Sequence, residues 1–313
     1  MKLLYCIPFC IFVFFSCKNK PESAAVSASK DFPREMVNFK PYENNPVFKA
    51  GAPEAWDKTI RERGFILFED SIYKMWYTGF LSHDDTVQKN LGFATSKDGI
   101  SWKRYEGNPI FSEKWTEDMF VFRHDGKYYM YAEGFRDVAH HLESSDGIHW
   151  KELGDLIIIK TTGDTLPGPY GTPVVWVEND KWYLFYETLD SGIWLATSTD
   201  KRTWRNLSDE PVIKPGPEKF DLGAVAANQV IKYNNKYYLH YHANADPGWM
   251  SKPAPWSSNI AVSDDLLHWR KYPGNPIIDG DHSSAITVYD GKKLRLYAMH
   301  PDVWMYEGES FKF

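Results

Sequence analysis

Carboxylates recur in this chain where apolar runs begin and end. Asp118 opens the run 118–123, Glu133 follows the run 127–131, Glu187 follows 182–186, and Glu62 precedes 65–68. Two carboxyl groups that face one another can divide the work of acetal hydrolysis. One stays protonated and donates to the leaving oxygen; the other is ionised and activates water or attacks. Burial and neighbouring charge separate their pKa values. On this reading Asp118 is the base or pKa-setting carboxylate, Glu187 or Glu133 is the acid, and Glu62 is a further candidate. Arg63, Glu117, Arg136, His140, Tyr170, His242, Trp249, His282 and His300 occupy similar strand-end or loop positions and are expected to hold hydroxyls or stack on a flat ligand.

Other chemistries find little support. The only cysteines are Cys6, Cys10 and Cys17, all near the N-terminus, and no HExxH or paired Cys/His spacing occurs, so a catalytic zinc or cysteine is not expected. No glycine-rich phosphate loop appears. The net charge of -6, with no Lys/Arg-rich run, argues against a nucleic-acid partner.

The elements that must bring these residues together are announced by a unit written four times. Ser96-x-Asp98-x-x-x-Trp102 recurs from Ser144, Ser198 and Ser263, ending at Trp150, Trp204 and Trp269. Internal repetition at this spacing signals a propeller or solenoid. Each unit follows a hairpin pattern: 118–123 and 127–131 are strand-like runs joined at His124-Asp125-Gly126, and a third strand at 141–145 and a fourth from Trp150 complete a blade. Equivalent hairpins lie at 65–77, 174–186, 230–241 and 286–298. Asn108-Pro109-Ile110 and Asn275-Pro276-Ile277 close two of the blades. Asn45-Pro46-Val47-Phe48 has the same form with no hairpin before it, so it is expected to pair into the last blade and close the ring. The expected fold is all-β, a five-bladed β-propeller over 39–313. In that fold the strand ends named above share one mouth at the axis.

Upstream, Lys2 and the apolar run 3–15 lead to Phe14-Phe15-Ser16-Cys17, a lipoprotein-type signal over 1–17 with Cys17 as the lipidated residue. Residues 18–38 are expected to form a flexible tether. The expected location is that of an exported bacterial lipoprotein at the outer membrane, the cell surface or in the periplasm, touching membrane only through its lipid.

The chain resembles the five-bladed propeller glycoside hydrolases, families 43, 117 and 130 in particular. The resemblance rests on Glu117-Asp118-Met-Phe-Val-Phe with Asp125-Gly126-Lys-Tyr-Tyr, on Asp98-Gly-Ile-Ser-Trp102 with Asn108-Pro109, and on Gly280-Asp281-His282-Ser-Ser284. It implies an oligosaccharide or polysaccharide substrate and exo-acting removal of a terminal sugar from a plant, algal or host glycan. It implies no required cofactor, with room for a structural Ca2+ at the axis that His282 contacts indirectly. Two positions depart from family 43: Arg63-Gly64 stands where that family has an Asp, and Tyr170-Gly171-Thr172-Pro173 lacks its acid. Only Asp118 carries over directly. A phosphorolytic enzyme like family 130 and a non-catalytic glycan-binding propeller are the rival readings. The sialidase Asp-box is a more distant likeness, since its spacing is one residue longer.

Overall fold

The structure is a computed structural model that describes residues 30–60, 63–82, 86–300 and 302–308. Five sheets stand around one axis. Blade 1 comprises Phe65–Glu69, Ile72–Gly79, Asn90–Ser96 and Trp102–Arg104. Blade 2 comprises Glu117–His124, Lys127–Glu133, His140–Ser144 and Trp150–Asp155. Blade 3 is built on Gly171–Glu178, Lys181–Glu187, Ile193–Ser198 and Thr203–Asn206. Blade 4 has Ala224–Tyr233, Lys236–Asn244, Trp256–Ser263 and Trp269–Lys271. Blade 5 has Ile286–Tyr289, Leu294–Ala298 and Trp304–Gly308, with Phe39–Pro41 as its outer strand. The first strands of neighbouring blades lie against one another all the way round, so the expected five-bladed propeller is what forms.

The four-fold sequence unit is a turn between the third and fourth strands. In blade 2 the Ser144 hydroxyl donates to Asp146 Oδ1 at 3.0 Å, and the same oxygen accepts the backbone N–H of Ile148 and His149, both at 2.9 Å. The Gly147 N–H donates to Ser144 Oγ at 2.9 Å, and the Trp150 indole donates to the Gly147 carbonyl at 3.0 Å. Blades 1, 3 and 4 repeat the Ser–Asp core of this turn. The fourth residue of the unit takes a left-handed φ each time: 72° at Gly99, 78° at Gly147, and 68° at both Lys201 and Leu266. Glycine adopts it without strain in two blades, whereas the hydrogen-bonded frame imposes it on Lys201 and Leu266 in the others.

The Asn-Pro units are clamps. The Asn108 side chain accepts from the Phe93 N–H and donates to the Phe93 carbonyl, both at 2.9 Å. Asn275 does the same to Ile260, both at 3.0 Å, and Asn45 to Met305, both at 2.8 Å. Each ties the connection between blades to a third strand.

Ring closure differs in detail from the expectation. The closing strand is Phe39–Pro41, antiparallel to Trp304–Gly308 with Phe39 opposite Gly308; the Asn45-Pro46 segment that follows adds a single bridge, Phe48 to Val303. The tether also ends earlier than residue 38. Phe32 and Met36, which flank and enter a short helix at Arg34–Val37, are buried against Tyr238, Ile260, Val262, Tyr272 and Leu294. Asp31 is ion-paired with Lys236 and Arg270 at 3.2 Å each. Apolar burial thus docks the chain from about Asp31 onward. Blade 3 carries an unforeseen fifth strand, Ile157–Ile159, parallel to Thr203–Asn206 and reached from the end of blade 2. The signal segment and Cys17 lie outside the described residues. Among the described residues no helix is long and apolar enough to cross a membrane.

Candidate active site

Equivalent residues stand at or within two residues of the ends of four second strands. The cross-strand pairs Glu117–Glu133, Gly171–Glu187, Ala226–His242 and Ser283–His300 occupy the same level in blades 2 to 5. The side chains of Glu133, Glu187, His242, Ser283 and His300 from these pairs converge on a cavity of about 240 Å³ at the axis. Asp118, Glu133, Asp137, Glu187 and Asp190 line it, with His242, His300, Trp249 and Trp256 across from them.

The first strands bend to make this possible. Registers shift between Glu117 and Phe120, between Gly171 and Val174, and between Ala227 and Gln229, so a bulge opens blades 2, 3 and 4 at the same level. Asp118 and Thr172 stand in those bulges at φ 43° and 46°, and Ser284 in blade 5 at 56°. A left-handed β-branched threonine is strained, and strain of this kind is held at sites by the surrounding structure. The bulge re-aims each side chain from the sheet face to the axis.

Gly171 separates the two glutamates. A Cβ there would overlap Oε2 of Glu133 and Oε1 of Glu187, so the two carboxyl groups flank one backbone atom. Glu133 Oε2 accepts the Thr172 N–H at 2.8 Å and the Thr172 hydroxyl at 3.3 Å. Glu187 accepts at both oxygens: from the Gly171 N–H at 3.0 Å and from the Asp190 N–H at 2.5 Å. Burial, and then the charges of Asp118, Glu117, Glu187 and Asp137, hold Glu133 well above the usual carboxyl range. Burial and the charge of Asp190 raise Glu187 too, but the N–H donors of Asp190 and Gly171 oppose that rise. Both carboxyls are thus inclined to hold a proton, and the acidic neighbours Asp118, Glu117, Glu187 and Asp137 press on Glu133.

Asp118 Oδ1 accepts the backbone N–H of Arg63 at 2.6 Å. The Arg63 side chain is fully buried beneath the cavity rather than lining it. Its guanidinium donates to the carbonyl of Ala227 at 2.5 Å, of Pro173 at 2.9 Å and of Asn228 at 3.3 Å, and also to that of Asp118. Blade 1 thus reaches across the axis to blades 2, 3 and 4. The expected hydroxyl-binding role of Arg63 is corrected to a structural one. Among the described residues no group of three or more His, Cys, Asp or Glu is arranged to hold a metal ion.

His242 is oriented by Asn228. The amide satisfies its surroundings when its oxygen accepts the N–H groups of His242 and Ala285, both at 3.2 Å. Its nitrogen then donates to the Ala227 carbonyl at 3.2 Å and to His242 Nδ1 at 2.7 Å. Nδ1 is then an acceptor, and the ring proton sits on Nε2, 3.8 Å from Asp190 Oδ1.

Of the sequence candidates, Asp118, Glu133, Glu187, His242, Trp249 and His300 meet in the cavity. The remaining ones have other places. Glu117 is bound by the Trp115 indole and Lys89, both at 2.6 Å. His140 is fully buried in the third strand of blade 2, 3.5 Å from Glu152, and burial lowers its pKa. The Tyr170 hydroxyl donates to the Leu156 carbonyl at 2.7 Å, Arg136 lies over the Phe135 ring, and the His282 ring packs 4.1 Å from Trp304. None of these five lines the cavity. Glu62 lies outside the described residues. Sequence reasoning missed Asp137, Asp190, Leu189, Trp256 and Ser284. The signal for the two aspartates was their spacing: each follows a strand-ending glutamate, by four residues in blade 2 and by three in blade 3.

No family model matches the chain. A 1,2-beta-oligomannan phosphorylase of Thermoanaerobacter sp. (strain X514) is 25% identical over 224 residues, 67% of this chain and 73% of that protein. A candidate glycoside hydrolase from Parabacteroides distasonis superposes with a TM-score of 0.72 at 19% identity, covering 88% of this chain and 97% of the other. Beta-1,2-mannobiose phosphorylase from Listeria innocua, solved with beta-1,2-mannobiose, gives 0.67 at 18% identity over 88% and 97%. The chain shares the five-bladed propeller fold of these proteins. A further structure of this fold, with a TM-score of 0.67 at 16% identity, comes from family 130, whose mannoside phosphorylases include hydrolases that target beta-1,2 mannosidic linkages.

Proposed function

We propose that this chain is an exo-acting glycoside hydrolase, with Glu133 as general acid and Asp118 as the carboxylate that activates water. The supporting observation is the shared cavity in which a buried Glu133, held above the normal carboxyl range, faces Asp118, two histidines and two indoles. Glu133 donates its proton to the glycosidic oxygen as the bond to the anomeric carbon breaks. Asp118 takes a proton from the water that supplies the new anomeric hydroxyl, and the pair is reset by proton exchange with solvent. The indoles offer apolar faces to a sugar ring. Glu187 and His242 hold hydroxyls, and Glu187 fixes the Asp190 loop.

Hydrolysis is favoured over phosphorolysis by the charge of the cavity. Five carboxyl groups line it and, among the described residues, no Lys or Arg does; Arg63 lies beneath, its guanidinium donating to backbone carbonyls, so a phosphate dianion would meet the ionised carboxylates without a cation to pair with. The relatives make beta-1,2-linked mannooligosaccharides the first substrates to test. Purified enzyme with beta-1,2-mannobiose is expected to release mannose without added phosphate, and Asp118→Asn to lose turnover while still binding sugar. Strict dependence on phosphate, with mannose 1-phosphate as product, overturns the reading in favour of a phosphorylase. Binding without turnover by the unaltered chain across a panel of glycans would make it a binding protein. Export and lipidation at Cys17 belong to the same proposal; labelled palmitate is expected on the full chain and absent from Cys17→Ser.

A further inference from the structure

The axial cavity is not closed on the side of blades 4 and 5. Trp249, Trp256 and His300 form its wall there, and the same three residues line a larger groove of about 690 Å³. The indoles of Trp249 and Trp256 stand 5.0 Å apart and nearly perpendicular, a shared corner between the two spaces. Beyond that corner the groove is lined by the apolar Ile60, Met250, Pro253 and Ala254 together with the polar Thr59, Ser251, Lys252 and Asp281. Two of its polar residues are held by hydrogen bonds: Asp281 Oδ1 accepts the Trp256 N–H at 2.9 Å, and the Ser251 hydroxyl donates to the Gly248 carbonyl at 2.8 Å. Met250 is the most exposed large apolar side chain of the described residues, at 65%.

We infer that this groove is a second carbohydrate site, which holds the units of a glycan chain that extend beyond the sugar in the axial cavity. Flat apolar patches interleaved with hydroxyl and carboxylate groups match the alternating C–H faces and hydroxyls of successive sugar rings. Continuity with the cavity through two indoles gives one chain a path through both spaces. The inference rests on the hydrolytic reading for its direction of reaction, but the groove itself does not depend on turnover. It gives an exo-acting enzyme a preference for long chains, because binding in the groove adds to that in the cavity.

The test compares beta-1,2-mannobiose with beta-1,2-mannotetraose in the unaltered chain and in two variants. Met250→Ala removes the apolar wall, and Ala254→Trp fills the groove. The unaltered enzyme is expected to have a kcat/KM roughly tenfold higher for the tetrasaccharide, equivalent to about 1.4 kcal/mol. Both variants are expected to bring that ratio to within about twofold of unity. Equal kcat/KM for the two sugars in the unaltered enzyme, or a ratio that persists in Ala254→Trp, overturns the inference. Failure to turn over either sugar is a failure of the hydrolytic reading. Saturation-transfer NMR with manno-, xylo- and galacto-tetraoses then decides the groove by itself. Tetrasaccharide binding that Ala254→Trp abolishes supports it; binding that the variant leaves intact, or none at all, overturns it.

Discussion

Glu133 is held in a protonation state that costs the fold stability. It is buried among acidic neighbours, and its pKa lies above that of a free carboxyl. The unfolded chain ionises this group above about pH 4.3, whereas the folded chain holds the proton longer, so the destabilisation grows as pH rises from the unfolded value towards the raised folded one. Glu133→Gln keeps the shape and the acceptor for Thr172 but carries no ionisable proton. It is expected to lower kcat by about 10³-fold. It is also expected to raise Tm by roughly 3 °C at pH 7, with no gain at pH 4. Calorimetry at the two pH values, with a turnover assay, checks both. Asp137 tests the electrostatics separately, because its charge raises both Glu133 and Glu187. Removing a negative neighbour stabilises the carboxylate, so Asp137→Asn is expected to move the basic limb of the kcat/KM profile to lower pH. An unmoved limb would mean that Glu133 is not the acid that the profile reports.

The Ser-x-Asp turns are built to keep their carboxylates ionised. Partial burial works against this, but the N–H groups of Ser101 and Ile100 bring Asp98 down to about 2, and those of Thr203 and Arg202 do the same for Asp200. A depressed pKa gives stability that is full above the unfolded value near pH 4 and is lost as pH falls through the folded one near 2. Asp200→Ala is expected to cost about 1 kcal/mol at pH 7 and to show a smaller difference from the parent near pH 2, read by urea unfolding at each pH. These turns were also what made the fold legible. Serine and aspartate are fixed by local hydrogen bonds in all four turns, so the repeat shows in one dimension what the blade does in three. The hairpins were readable for the same reason. The strand Ile157–Ile159 was not, because its partner is 46 residues away and its parallel pairing leaves no local pattern. Asp137 and Asp190 escaped because loop residues carry no period. Arg63 was read as a ligand-binding residue because sequence places a cation at the axis without saying which way it points.

At the scale of the molecule, a propeller must stop five sheets from sliding about a shared axis, and here one side chain does much of that. Arg63 from blade 1 donates to carbonyls in blades 2, 3 and 4. Burial lowers its pKa to about 10, offset in part by the charge of Asp118, so it stays a cation at neutral pH. The same charge lies directly below the carboxyl groups of the cavity. Stability and chemistry are therefore coupled through one guanidinium, and a substitution there must move both. Arg63→Lys keeps the charge but replaces a planar fork with a single head, which leaves several bulged carbonyls unpaired; a loss of about 2–4 kcal/mol is expected. Arg63→Met also removes the cation. Its stability loss is expected to be of similar size. In addition, Asp118 becomes harder to ionise without the cation, so the acidic limb of the kcat/KM profile shifts to higher pH, whereas Arg63→Lys leaves that limb nearer its original place. Parallel losses of stability with no difference in pH profile between the two variants would show that Arg63 holds the blades without tuning the site.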